Sequence, residues 1–204
     1  MIELYAANSS NSQRVAIMLE ECALPYSVRR VDLGKGEQRS EAFLAINPAG
    51  AVPAIVDSDG PGGATALTQS GAILLYLAMK TGRYFPQDPA RRVRAFEWFM
   101  FAASDWSSFS TMLFLNTVIL PDKSQANGAF YEERLGRYFR VANERLAARE
   151  FLADELSIAD FALYPVVRVR YALVEKAADL PHLSRWAETL AARPTVERAM
   201  AAVG

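Results

Sequence analysis

Asn47-Pro48-Ala49-Gly50-Ala51-Val52-Pro53-Ala54-Ile55-Val56 is the stretch on which the fold turns. Asn-Pro and Gly close a short helical pattern over 41–46, and a β-branched run then begins through a proline. Proline donates nothing to a ladder, so Pro53 has to start the strand or follow a cis bond. A cis bond turns the Val52 backbone outward and leaves its N–H and C=O open to a peptide-like ligand lying as an added strand. On the run alone an ordinary trans proline at a strand start is the favoured reading, because cis X–Pro bonds are uncommon.

Toward the C-terminus, Ser58-Asp59-Gly60-Pro61-Gly62-Gly63 is a turn between two short runs, which predicts a hairpin. Leu67 to Lys80 is apolar, opens at Gln69-Ser70 and reads as a helix. Toward the N-terminus, Ile2 to Ala6 reads as a buried strand. The polar run Asn8-Ser9-Ser10-Asn11-Ser12 offers helix N-caps. Val15, Met18, Leu19 and Cys22 follow at i, i+3, i+4 and i+7, so Gln13 to Ala23 is an amphipathic helix stopped by Pro25. Tyr26, Val28 and Val31 suggest a second strand, parallel to the first across a helical crossover. Read together, the first 80 residues are βαβαββα. Residues 81–90 form a linker with Gly82, Pro86 and Pro89. Beyond it only helices read clearly: Arg91 to about Val118, Ala126 to Arg149, Ile158 to about Ala177, and Leu183 to Ala192. The expected architecture is therefore an α/β domain over 1–80 and an all-helical domain over 91–204, each with its own core.

Bulk properties narrow the function. With 22 Lys+Arg against 23 Asp+Glu, the formal net charge is −1, which gives no reason to expect nucleic acid or an anionic membrane as partner. The longest apolar stretch, Ala72 to Met79, is too short to span a bilayer. No basic-then-apolar leader opens the chain, so a cytoplasmic location is expected. One cysteine, Cys22, and one histidine, His182, leave no disulfide framework, no CxxC motif and no His/Cys metal site.

Three features carry chemistry. The Ser/Asn run lies at the carboxyl end of the first strand and the start of the first helix, where backbone N–H groups favour negative charge. That suits a thiolate, the reactive form of a thiol whose ordinary pKa is about 8.5. Each unit of depression requires about 1.4 kcal/mol of preferential thiolate stabilisation, within reach of one or two charge-assisted hydrogen bonds. A plain helix cap is the competing reading of the run. Val52-Pro53 offers a backbone edge, and Ser70 at the start of a helix offers a carboxylate site or, again, a mere cap.

In combination these segments are specific. Asn47 to Val56 followed by Gln69-Ser70-Gly71-Ala72-Ile73-Leu74-Leu75-Tyr76-Leu77 resembles the glutathione-site signature of the cytosolic glutathione transferases. Ser157-Ile158-Ala159-Asp160, with Leu156 and Phe161 in staple positions, matches the helix-capping motif of the same family. The resemblance runs essentially the full length. It implies a thioredoxin-like N-terminal domain and a helical C-terminal bundle, glutathione as co-substrate without a metal, and a homodimer acting on a small electrophile or disulfide. It also implies a cis Pro53, with Val52 pairing the cysteinyl backbone of glutathione. Gln69 and Ser70 would hold the γ-glutamyl end, Gln69 standing where many members have Glu. Gln38 would reach the glycyl end.

Thiol activation divides the family. Ser9-Ser10-Asn11-Ser12-Gln13-Arg14 resembles the bacterial nu class, in which a Thr/Ser-x-Asn pattern donates to the glutathione sulfur; here Ser9 and Asn11 fill it, with Ser10 between them. Leu33-Gly34-Lys35-Gly36 and Ala54 to Asp57 extend that match. Those relatives are glutathione-dependent disulfide reductases with weak conjugating activity. The zeta class, the maleylacetoacetate isomerases, is similar in the same run, but Asn11 stands in place of its cysteine. A non-catalytic glutathione-binding or scaffold protein is the remaining alternative. The nu pattern further implies a ligand contact from Arg134, which reads equally well as a solvated helix-face residue. Arg14 reads mainly as a structural ion-pair residue, Cys22 as core, and Phe101, Trp106, Phe109 and Met112 as candidates to line a second-substrate site between the domains.

Overall fold

The computed structural model describes residues 1–176 and 179–204. These form two compact units, Met1–Phe85 together with Ala191–Gly204, and Pro86–Leu190. The sequence assigns everything beyond the linker to the second domain. In the structure the last helix belongs with the first unit.

In that unit β1 (Ile2–Ala6), α1 (Ser10–Glu21), β2 (Tyr26–Arg30), a 3-10 turn (Glu37–Arg39), α2 (Glu41–Leu44), β3 (Ala54–Gly60), β4 (Gly63–Thr68) and α3 (Ser70–Thr81) follow the expected order. The sheet runs β2-β1-β3-β4. β1 and β2 are parallel, as a helical crossover requires, whereas β3 is antiparallel to both β1 and β4. Strand alternation divides the faces. Ile2, Leu4 and Ala6 are buried on one side, the side of α1 and α3 by the burial of Val15, Ile17, Met18, Leu19, Ile73 and Leu74. Across the sheet, Val31, Phe43 and Ala54 form a smaller cluster with Tyr5, Ile46 and Val52 packed against it.

Two boundaries move for physical reasons. The first helix begins at Ser10 rather than Gln13, because Ser9 already caps it with its side chain. Leu67 and Thr68, expected in the helix, pair instead with Ile55 and Ala54, so α3 opens only at Ser70. A helix absent from the sequence reading, α10 (Pro194–Val203), packs on α1. Glu21 of α1, 4% exposed, receives two hydrogen bonds from Arg193 at 2.6 and 2.8 Å, one from Tyr84 at 2.7 Å and one from Thr195.

The second unit holds α4 (Pro89–Phe101), α5 (Ser107–Phe114), α6 (Gln125–Leu146), α7 (Ile158–Val169), α8 (Tyr171–Lys176) and α9 (Pro181–Ala191), the last running one residue past the unit's end. The expected helix over 91–118 is continuous from Pro89, but two wider π-helical turns, Ala102–Trp106 and Leu115–Ile119, interrupt its α pattern. The helix expected from Ile158 breaks at Arg170, and its expected end at Ala177 lies outside the described residues. The predicted capping box is present: Ser157 Oγ accepts from Ala159 N–H, and Asp160 Oδ2 accepts from Ser157 N–H at 3.0 Å. Asp160 is fully buried and its other oxygen accepts from Leu152 N–H and the Trp186 indole at 3.0 and 2.9 Å. One carboxylate thus fixes the start of α7, the preceding loop and α9. Burial pushes it up to about 6, against those three donors and the Ser157 hydroxyl, which also donates to Oδ2 at 3.1 Å.

Asp160→Ala should therefore lower the unfolding free energy by about 3 kcal/mol, the loss of a cap plus buried donors left unpaired, as measured by urea denaturation. Glu21 sets an acid limit. Burial alone would raise its carboxyl, but the hydrogen bonds from Arg193, Thr195 and Tyr84 outweigh that and hold it below its ordinary 4.5. A depressed folded-state pKa stabilises above the unfolded value and is lost as pH falls through the folded one. Glu21→Gln should cost about 2–3 kcal/mol at neutral pH and flatten the fall of stability below about pH 4.5.

Candidate functional site

Strand register decides which segments meet. Tyr5 pairs with Ala54 in the antiparallel β1–β3 ladder, so Pro53 and Val52 continue beside the carboxyl end of β1 and the turn into α1. Ala54 also pairs with Thr68, which sets Gln69 and Ser70 at that same end. Ala6 pairs with Arg30, bringing the loop after β2 there as well. The Ser/Asn run, Val52-Pro53 and Gln69-Ser70 therefore share one end of the sheet. A cavity of about 590 Å³ lined by Ala7, Asn8, Val31, Asp32, Leu33 and Glu37 opens beside them.

Each segment is held differently. The Val52–Pro53 bond is cis, and Val52 lies outside the β3 ladder, so its backbone is not committed to the sheet. Ser9 is the N-cap of α1: its Oγ accepts from Ser12 N–H at 3.2 Å and donates to Ser12 Oγ at 3.0 Å. Ser12 is fully buried and its Oγ also accepts from Ala7 N–H at 3.4 Å. Both bonding capacities of the Ser9 hydroxyl thus point inward. Ser10 and Asn11, in the exposed part of the first turn, are half-buried, and their N–H groups precede the first intrahelical acceptor. The α1 N-terminus therefore offers backbone donors in its first turn. Asn8 accepts from the Gln13 side chain at 3.0 Å, which shapes the loop ahead of the cap.

At the start of α3, Gln69 takes φ 68 and makes no side-chain cap. A non-glycine residue in that region is strained by about 1–3 kcal/mol, and such residues gather at ligand sites. Ser70 Oγ accepts from Arg14 Nη1 at 3.5 Å, a contact across 56 residues that sequence spacing does not reveal. Arg14 is 1% exposed, and burial pushes its guanidinium down to about 10, which keeps it charged at neutral pH. Gln38, in the 3-10 turn, leaves its buried side-chain oxygen without a partner among the described residues.

Other candidates fall elsewhere. Tyr5 donates to Glu3 and packs on Phe43, on the sheet face away from α1. Cys22 is buried against Thr81 Oγ1 at 3.4 Å, and burial pushes its thiol up, the opposite of activation. Arg134 belongs to the second unit, where its guanidinium lies 5.5 Å from the ring centres of both Phe109 and Phe130. Trp106 is fully buried among Phe101, Tyr138 and Phe139, a core position rather than a binding surface. Among the described residues no cluster of His, Cys, Asp and Glu can hold a metal, and no helix is long and apolar enough to cross a membrane.

Known proteins share this arrangement. Residues 8–80 match the glutathione S-transferase N-terminal domain and residues 106–194 the C-terminal domain of the same family. The disulfide-bond oxidoreductase YfcG of Escherichia coli K12 is 33% identical over 98% of this chain and 94% of its own length. A Pseudomonas putida glutathione transferase, solved with one glutathione disulfide per subunit, superposes with a TM-score of 0.93 at 30% identity, covering 100% of this chain and 92% of that one. A Burkholderia graminis glutathione transferase with two bound glutathione molecules gives 0.91 at 35% identity, over 98% and 87%. Motifs, fold and full-length relatives agree: the chain belongs to the glutathione S-transferase family.

Proposed function

We propose that the protein binds glutathione at this end of the sheet, lowers its thiol pKa with Asn11 and Ser10, and uses the thiolate to reduce small disulfides, with weak conjugation of electrophiles. The observation that carries the reading is a half-buried first turn of α1, at the carboxyl end of β1, in which the Ser9 hydroxyl is engaged as the cap. Val52 pairs the cysteinyl backbone, Gln69 and Ser70 take the γ-glutamyl end, and Gln38 the glycyl end. YfcG, named for disulfide-bond oxidoreduction, and the glutathione disulfide or paired glutathione of the solved relatives support this choice of acceptor.

The chemistry follows from the single cysteine. Cys22 is buried and cannot act as a resolving thiol. Bound glutathione thiolate therefore attacks one sulfur of the acceptor disulfide, forming a mixed disulfide and expelling a thiolate, which takes up a proton. A second glutathione thiolate then attacks the glutathione sulfur of that intermediate, giving glutathione disulfide and releasing the second acceptor thiol. Lowering the bound thiol toward ambient pH raises the thiolate fraction without destroying its nucleophilicity. A cytoplasmic setting would supply the glutathione. A homodimer fits α4, whose Val93, Phe96 and Met100 are exposed at 64%, 45% and 43% on one helical face.

Reduction of hydroxyethyl disulfide by glutathione separates the roles within the first turn. Asn11→Ala should lower kcat/KM about 10–100-fold, the loss of one charge-assisted donor, and leave stability within about 0.5 kcal/mol. Ser9→Ala should cost about 1 kcal/mol of stability as a lost cap and depress the rate less. Unchanged rates for Asn11→Ala, or turnover confined to maleylacetone, would contradict the proposal.

A further inference from the structure

We infer that Arg14 is a positioning residue for the γ-glutamyl carboxylate of glutathione, acting through the Ser70 hydroxyl and through a positive charge buried beneath the start of α3. The inference rests on the glutathione-binding reading and adds to it a residue from a different helix that does not itself touch the ligand.

Three observations converge on one point. Arg14 sits in the second turn of α1 with its side chain out of solvent, and its Nη1 donates to Ser70 Oγ. Ser70 is the first residue of a 12-residue helix whose N-cap, Gln69, supplies no side-chain acceptor. The first-turn N–H groups of α3 therefore lack the acceptor that a Ser, Asp or Asn cap normally provides. An external anion meets this requirement, and the helix dipole favours it.

The direction of the hydrogen bond matters. A guanidinium only donates, so by occupying a lone pair of Ser70 Oγ it leaves the Ser70 proton to be donated elsewhere. At the mouth of α3 that proton faces the incoming carboxylate. Donation into the hydroxyl also polarises it, strengthening the outgoing bond. At 3.5 Å the Arg14–Ser70 bond is long, so orientation is the smaller part of the effect. The buried charge is the larger part, since Coulomb attraction is weakly screened away from water. Gln69, uncharged where many family members carry Glu, leaves this positive field undiminished.

The role predicts a dependence on one carboxylate of the ligand, which a purely structural arginine would not show. Dissociation constants are measured by calorimetry for glutathione and for the analogue with its γ-glutamyl α-carboxylate converted to the carboxamide. The wild type, Arg14→Lys, Arg14→Met and Ser70→Ala are compared. Arg14→Met should weaken glutathione about 10-fold or more while changing the analogue less than about 2-fold, and Arg14→Lys should recover most of the loss. In Arg14→Met/Ser70→Ala the total penalty should fall only slightly short of the sum of the two single penalties, by the part of the Arg14 effect that passes through the Ser70 hydroxyl. Equal weakening for both ligands, or no rescue by lysine, overturns the inference. Should Arg14→Met fail to fold, Arg14→Gln, which keeps a polar stem without the charge, is measured in its place and should show the same ratio between ligands. A wild type that binds neither ligand contradicts the glutathione reading itself.

Discussion

Helix α1 carries two buried charges, and the rest of the first unit is arranged around them. Arg14 reaches forward to the start of α3, while Glu21, two turns later, is gripped by Arg193, Tyr84 and Thr195. A buried charge without partners is expensive, and removing one partner of a buried pair costs about 3–5 kcal/mol, so these contacts fix where the helix can sit. They fix its N-terminus too, because the eight residues from Ser12 to Leu19 are all buried and the helix has no freedom to slide or roll. The functional turn, Ser9 to Ser12, is thus placed by interactions made further along the same helix. The Ala191–Gly204 segment belongs with the first unit for that reason: without it, Glu21 would lose Arg193 and Thr195.

The division of labour in the first turn is an economy of hydrogen bonds. Ser9 gives both its accepting and its donating capacity to Ser12, and Ser12 in turn accepts from Ala7. This inner chain of hydroxyls makes the turn rigid. Rigidity is useful to a site that stabilises a thiolate, since donors held in place do not have to reorganise when charge appears. On the proposed reading, chemistry falls to the outer donors because the Ser9 hydroxyl is engaged in structure.

Much of this was legible in the sequence where the signal is local. A proline opening a β-branched run, a Ser-x-x-Asp before an apolar helix and a polar run between a strand and an amphipathic helix each state their structure within ten residues. The Ser157–Asp160 capping box was found where its pattern placed it, and the cis Val52–Pro53 bond where the family resemblance, not the run alone, placed it. What escaped was non-local or quiet. The Arg14–Ser70 contact spans 56 residues and has no signature on either side. Thr68 reads as helix until its pairing with Ala54 is known. In α10 the buried positions Val196, Ala199 and Val203 do recur at helical spacing, but their small side chains in an alanine-rich tail give a weak pattern. The roles within Ser9-Ser10-Asn11 were undecidable from residue type, because a serine that caps and a serine that serves a ligand are the same letter; only the hydrogen-bond partners separate them.

If this turn stabilises a thiolate, the thiol of bound glutathione must titrate below that of free glutathione. Ultraviolet thiolate absorbance of glutathione held at saturating protein, followed against pH, gives the pKa of the bound thiol. The expected value lies at least about one unit below the ordinary 8.5 of a free thiol, equivalent to about 1.4 kcal/mol of preferential thiolate binding. A bound thiol that titrates with free glutathione would contradict it.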